Sequence, residues 1–600
     1  MTINPTRSRS EVSANETWDL SRLCKDDRDW EEKLRKFIDM YPRLADFEGR
    51  LAESANILQE FLDFYFELAL MDEQIGYYAF LRLSEDQGNS DSQSRNGRYM
   101  QASAAMSAIS GFVNPEIQGI SEEKINSWMK QKEFSDYRIF LKKLLRFKPH
   151  ILSSREERLL AMQKESNQTP QRTFNALTDV DMEFGMIKTP EGDQPLTQGT
   201  FIIFMQNPDR DIRREAFKKF YTQLTGHQNT LASLYAGSVN QDVYRARIRN
   251  YRNSLEAALF PDKVNPDVYH NLIQTVNEHL PLLHEYYRIR RERQKISDYN
   301  LIDTRVPVVE NVVMKHSYDE AAGVLAEALS PLGSEYVDTL IKGLRTSSRG
   351  AWVDKYENKG KRSGAFSAGS FTGEPYILMN YKDNVIRELF TLAHEAGHSM
   401  HSWYSSRNNP FPHYNYTIFE AEVASTFNEL LLFSYMLSRQ DDQKIRTFLV
   451  NKQIDDMIAT IFRQTMFAEF ELRCHEIVES ADVLTVQSLR EEYAKLLANY
   501  FGKDVEIPEE ASMEGLRIPH FYRAFYVYKY ATGLSAAIAL SQGVLKGGKP
   551  ELDNYFTFLK SGGSLFPVES LAAAGVDMSH PEPIRNAMTV FGELVQMLKE

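Results

Sequence analysis

Cysteine is almost missing from this chain: Cys24 and Cys474 are the only two in 600 residues. A disulfide framework is therefore not its stabilising device, and a reducing compartment suits it. No apolar run reaches about 18 residues and no signal-type apolar segment opens the chain, so neither a membrane span nor secretion by a standard signal is expected. Cytoplasm is the default. A basic excess is missing too, because Lys plus Arg (70) against Asp plus Glu (83) leaves a net charge of −13, which disfavours nucleic acid as a partner. Internal repeats and low-complexity tracts are absent. At 600 residues the chain is too long for one ordinary core, and two or more lobes are expected.

What is present is mostly helical pattern. Residues 1–15, MTINPTRSRSEVSAN, are polar and are expected to fray. From Glu16 to about Phe174 apolar residues recur at three and four, as in FLDFYFELALMDEQIGYYAFLRL, which predicts long helices with Phe61, Phe64, Tyr65 and Phe66 as core. MEFGMIKTPEGDQPLT, beginning at Met182, carries a Pro-Glu-Gly-Asp turn between apolar runs and predicts a hairpin. It is read as the seam between an N-terminal helical lobe, 1–190, and a catalytic lobe, 191–600. Arg245, Arg249 and Arg252 are read on one helix face, either as salt-bridged surface or as a cationic wall for peptide carboxylates. Gly364 to Tyr381 interrupts the helices and predicts a small β-ribbon, whose exposed edge can pair with an extended peptide.

The stretch Asp383 to Trp403, DNVIRELFTLAHEAGHSMHSW, carries His394, Glu395 and His398 in the pattern HExxH. With 13 His and 83 acidic residues, a chance occurrence is expected less than about 0.04 times in such a chain. Val385, Leu389, Leu392 and Ala396 form an apolar stripe of helical period, with Asp383 or Asn384 as candidate caps. Residues four apart stand one turn above each other, so His394 and His398 can converge on one ion at the roughly 2.0 to 2.1 Å of a Zn–N bond. Glu395 lies about 100° round the helix, beside the metal, where a carboxylate can accept a proton from the attacking water.

A catalytic zinc takes a third protein ligand and leaves a corner open. His401 is about 10.5 Å along the axis from His394, too far to share its ion, and is expected behind or at the rim of the site. The metzincin spacing does not fit either, since His401 and Tyr404 stand where that pattern has Gly and a third His. The better source is the acidic segment IFEAEVASTFNELLL, in which Glu422 and Glu429 share a face and Glu420 points nearly opposite. Spacing leaves Glu422 and Glu429 as rivals. Cys474-His475-Glu476 lacks the second His of the motif and is read as helix surface. In RIPHFYRAFYVYKYATG, Tyr522, Tyr526 and Tyr530 fall at i, i+4 and i+8, one helix face.

HEAGHSMH, then EVASTFNE, then HFYRAFYVYKYATG together resemble the thimet oligopeptidase superfamily, and within it the oligoendopeptidase F family. The resemblance runs from ETWDL at Glu16 to the last helices. It implies zinc endopeptidases of short peptides, with a mainly α fold of two helical lobes enclosing a deep channel. It also implies one Zn²⁺ per chain held by His394, His398 and Glu422, with Glu395 as the base. His520 matches the family's oxyanion His, with Tyr526 and Tyr530 as its partners and Tyr528 the alternative. Oligopeptides are then the expected substrates. The competing expectations are a zinc exopeptidase on the same site and a helical peptide-binding protein that keeps the motif without catalysis.

Overall fold

The computed structural model describes residues 7–309, 312 and 314–599. The fold is mainly α, with two small sheets. No helix among the described residues is long and apolar enough to cross a membrane. The chain divides into two compact units, one built from residues 1–149, 313–436 and 540–576, the other from 150–312, 437–539 and 577–600. The units thus interleave along the chain and do not follow the expected division at 190/191. The hairpin forms as expected, with Met186–Thr189 antiparallel to Gly192–Pro195. Both strands lie inside the second unit, so this turn is no seam between units.

The first unit grows from the helix Ala55–Glu85, 31 residues long, which Ser54 caps by accepting the Ile57 N–H. Phe61 is fully buried on it, and Phe64, Tyr65 and Phe66 pack against the same core. The polar leader is pinned rather than frayed over residues 7–15; residues 1–6 lie outside the described ones. Arg9 pairs with Asp354 at 2.6 Å and Glu85 at 3.3 Å, and Arg7 with Glu16 at 2.8 Å. Charge complementarity with buried carboxylates holds a segment whose composition alone reads as loose.

Within the same unit lies the three-stranded sheet. Tyr376–Leu378 is central, parallel to Val353–Asp354 and antiparallel to Phe366–Ala368, with Ser367 opposite Ile377. The ribbon is therefore real, but Val353–Asp354 is too short to carry a readable alternation. Ser367 Oγ lies 2.8 Å from Ser399 Oγ, and Ser399 reaches the Pro375 carbonyl at 3.3 Å, so the sheet lies against the HExxH helix. That helix spans Ile386–Asn408 with Leu389, Leu392, Ala393, Ala396 and Met400 buried. Its N-cap is Val385, which offers no side-chain cap, so neither Asp383 nor Asn384 takes that role.

Among the described residues the second unit is helical apart from the hairpin and one isolated bridge between Asn300 and Glu506. Its core pairs are ionic as well as apolar: Arg213 meets Asp303 at 2.8 Å and Arg463 meets Glu514 at 2.6 Å, all four buried or nearly so. The arginine series does not share a helix face. The helix Gln228–Ile248 ends before Arg249, and Asn250 turns left-handed at φ +59°. Arg249 grips Glu157 through two hydrogen bonds of 2.8 Å, Arg252 pairs with Glu256 at 3.1 Å and Arg245 with Asp242 at 3.5 Å. Each cation has its own acid, which favours the salt-bridged reading over a cationic wall.

Candidate metal centre

Two consecutive helices of the first unit build the centre, Ile386–Asn408 and Ile418–Ser438. They cross at Gly397, where a Cβ would stand 2.4 Å from the Ala424 carbonyl oxygen and 2.6 Å from the Ser425 Cα. Only glycine permits that approach. Asn428 ties the pair by donating to the Ala393 carbonyl at 3.4 Å. The second helix is buried along much of its circumference, including Phe419, Val423, Phe427 and Leu430 to Leu432. Glu420 does face away from Glu422: it is fully buried and accepts the Thr417 N–H at 3.1 Å.

Close crossing brings three donors together. His398 Nε2 lies 3.2 Å from His394 Nε2, and Glu422 Oε2 lies 3.4 Å from His394 Nε2 and 3.9 Å from His398 Nε2. Ligand atoms of His394, His398 and Glu422 all fall within 4.8 Å of one another, the one such group among the described residues. Two atoms each about 2.0 to 2.1 Å from a tetrahedral ion lie about 3.4 Å apart, so this spacing suits a single small cation. The side chains keep 27, 17 and 31 % exposure, which leaves room for a further ligand.

Glu429, left as a rival by spacing, takes a different position. Its Oε1 lies 2.7 Å from His394 Nδ1. A carboxylate on the outer ring nitrogen holds a proton at Nδ1, so that Nε2 is the nitrogen left to face a cation once the imidazolium gives up its other proton. Burial opposes charge on the His394 imidazole, but the Glu429 hydrogen bond and the charges of Glu429, Glu395 and Glu422 outweigh it and raise the group to about 9. His398 is driven the other way, well below its ordinary value, by burial and by its His394 and His401 neighbours. The pocket is thus anionic with one neutral imidazole, which is a cation's environment.

Glu395 is buried at 6 % exposure. Burial raises its carboxyl to about 7; Glu422 and Glu429 add to the rise, while His394 and the Ser367 backbone N–H oppose it. A carboxyl poised near neutral pH suits proton transfer in both directions.

Behind the donors the chain packs a second layer of rings. His401 is not at the rim: it is fully buried and stacks on Tyr416, with ring centroids 3.6 Å apart. Tyr416 in turn reaches Ser402 Oγ at 2.8 Å and the His398 carbonyl at 3.4 Å. Nothing in the spacing of SSRNNPFPHYNY singles out Tyr416; its role depends on where the loop returns.

His520, Tyr526 and Tyr530 belong to the second unit and gather there. The His520 ring lies 6.2 Å from Tyr526 and 6.1 Å from Tyr530, and the tyrosine rings lie 5.4 Å apart. Arg523 sits 4.2 Å from the Tyr526 ring centroid. Tyr528 is fully buried against Tyr269 at 5.3 Å, whereas His520 is exposed and Tyr526 and Tyr530 are half-buried. Tyr522, Tyr526 and Tyr530 do not share one helix: a short 3₁₀ turn covers Pro519–Tyr522, Phe525 is left-handed at φ +53°, and the helix begins only at Tyr528. Cys474 and His475 are buried at 0 and 1 %, so these two are core and not the expected helix surface, whereas Glu476 is exposed as expected.

Comparisons with known proteins agree with this chemistry. Residues 203–590 match the model of peptidase family M3 and residues 116–184 that of oligopeptidase F. An oligoendopeptidase F homolog of Borreliella burgdorferi is 41 % identical over 593 residues, covering 99 % of both chains. Oligopeptidase PepF of Bacillus subtilis is 40 % identical over 603 residues, covering 100 % of this chain and 89 % of its own. The crystal structure of oligoendopeptidase-F from Enterococcus faecium superimposes with a TM-score of 0.74 at 31 % identity, covering 96 % of this chain and 98 % of its own. The chain belongs to peptidase family M3, among the oligoendopeptidase F proteins, and is a metalloendopeptidase.

Proposed function

We propose that the chain is a zinc-dependent endopeptidase that hydrolyses internal bonds of short, unfolded oligopeptides. The observation that carries this reading is the convergence of His394 Nε2, His398 Nε2 and a Glu422 oxygen within 4.8 Å, with Glu429 on the outer nitrogen of His394. His394, His398 and Glu422 would hold one Zn²⁺ there, and the ion would supply an acidified water and polarisation of the scissile carbonyl. Glu395, buried beside the donors, takes a proton from the attacking water and delivers it to the leaving amine. His520 with Tyr526 or Tyr530 supplies donors to the oxyanion of the tetrahedral intermediate. Partial burial and the Arg523 charge hold His520 below its ordinary value, so it is neutral at pH 7 and donates through one N–H.

Substrate backbone pairs with the edge strand Phe366–Ala368, which lies beside the HExxH helix and at the end of its sheet. Main-chain pairing of this kind recognises extended peptides with little dependence on side chains.

The test is mass spectrometry of a mixture of peptides blocked at both ends, digested with and without a chelator. Internal cleavage that stops on chelation is expected, and stays confined to short peptides. No cleavage of the blocked peptides, or cleavage indifferent to chelation, contradicts the reading.

A further inference from the structure

The segment carrying His520 and its tyrosines is held in an unfavourable conformation by a buried acid with no part in the chemistry above. In an unbroken helix His520 and Tyr530 stand about 15 Å apart along the axis and never meet. Here their rings lie 6.1 Å apart, because the chain reverses between the 3₁₀ turn Pro519–Tyr522 and the helix that begins at Tyr528. The reversal depends on Phe525 at φ +53°, a region that L residues with large side chains avoid. No glycine relieves it. Something else must hold it there.

The helix Arg463–Glu479 provides the hold. The Phe525 N–H donates to Glu471 Oε1 at 2.9 Å, and Glu471 is fully buried with no partner for Oε2 among the described residues. One turn on, His475 lays its ring 4.5 Å from the Phe525 ring, its Nδ1 is 2.8 Å from the Glu471 carbonyl and its Nε2 faces Asp242 at 3.5 Å. Tyr269 closes the other side edge-on at 5.6 Å. Backbone and side chain of Phe525 are therefore both clamped from one helix face, at positions i and i+4.

We propose that Glu471 is a positioning residue: its carboxyl holds the Phe525 N–H, fixes the left-handed turn and so assembles His520 with Tyr526 and Tyr530 as one donor group. This rests on the oxyanion role proposed above for that group. Burial drives the Glu471 carboxyl well above its ordinary range, with Asp242 adding to the rise and the Phe525 N–H opposing it. Glutamine keeps an accepting oxygen in nearly the same place.

The experiment follows hydrolysis of an internally quenched, doubly blocked peptide by the metal-loaded protein, with metal content measured in every sample. Glu471→Met keeps the volume and removes the acceptor. Its kcat is expected to fall roughly 10- to 100-fold, with KM and metal content near parental, because donors displaced by about 1 Å lose that much. Glu471→Gln restores most of the parental kcat, because its amide oxygen still accepts the Phe525 N–H. If Glu471→Met does not fold, Glu471→Asp replaces it, since one methylene fewer draws the acceptor out of reach and the same kcat loss is expected. Parental kcat in a metal-loaded Met or Asp variant overturns the proposal, as does a Gln variant as impaired as Met. His520→Ala separates the two layers. If it keeps parental kcat, the oxyanion role beneath the proposal falls; if it is impaired and Glu471→Met is not, the positioning role alone falls.

Discussion

The two groups of functional side chains are made in opposite ways. His394, His398 and Glu422 stand on unbroken helices, where a spacing of four and a close crossing at Gly397 bring the donors together. His520, Tyr526 and Tyr530 meet because a helix is interrupted, with Phe525 left-handed at the break. Regular backbone makes the first group robust and visible in spacing. An interruption makes the second dependent on residues distant in sequence, such as Glu471 and His475.

The contrast is broken first, and most severely, at Glu395. Glu395→Gln removes the proton carrier while leaving all three donors in place, so a loss of about 10²- to 10⁴-fold in kcat is expected with metal content unchanged. Loss of metal along with activity would mean that Glu395 is structural. In the second group, His520→Ala is expected to lower kcat about 10²- to 10³-fold, the cost of one oxyanion donor. Tyr528→Phe, buried against Tyr269, is expected to leave kcat near parental. Steady-state kinetics that reverse this order would exchange the roles of the tyrosines.

Smaller effects sharpen the picture of the first group. Glu429→Ala frees His394 Nδ1 and is expected to weaken metal binding about 10- to 100-fold, read by competition with a chromogenic chelator. The pH dependence has a definite sign. In the metal-free protein His394 is raised to about 9, so at pH 7 it carries a proton that must leave when metal binds. Metal affinity is therefore expected to fall as the pH drops below about 9, by about tenfold per unit. Affinity unchanged between pH 9 and 7 would contradict the anionic pocket.

How much was legible follows the same division. The HExxH helix, its buried stripe from Leu389 onward and the acidic helix after it are readable because a period of 3.6 forces side chains onto faces, whereas Val385, expected in the stripe, is the N-cap and 37 % exposed. The hairpin at Met186–Pro195 and the ribbon around Tyr376 are readable from their turn residues. Glu422 and Glu429 share a face, and only the crossing of the helices assigns one to Nε2 and the other to Nδ1. Residues 7–15 read as loose because their partners, Asp354 and Glu85, are remote in sequence. His475 read as surface for the same reason: its partners Phe525 and Asp242 come from other segments. Tyr522, Tyr526 and Tyr530 obey helical spacing that the backbone does not follow, since no glycine marks the turn at Phe525. The interleaving of two compact units is likewise a matter of long-range contact, invisible to any local pattern.

The most direct test of the account returns zinc stepwise to chelator-stripped protein while the cleavage of a doubly blocked, internally quenched peptide is followed. Hydrolysis is predicted to rise linearly and to break at one zinc per chain. Full activity in the stripped protein, or a break that requires two equivalents, would contradict a single ion held by His394, His398 and Glu422.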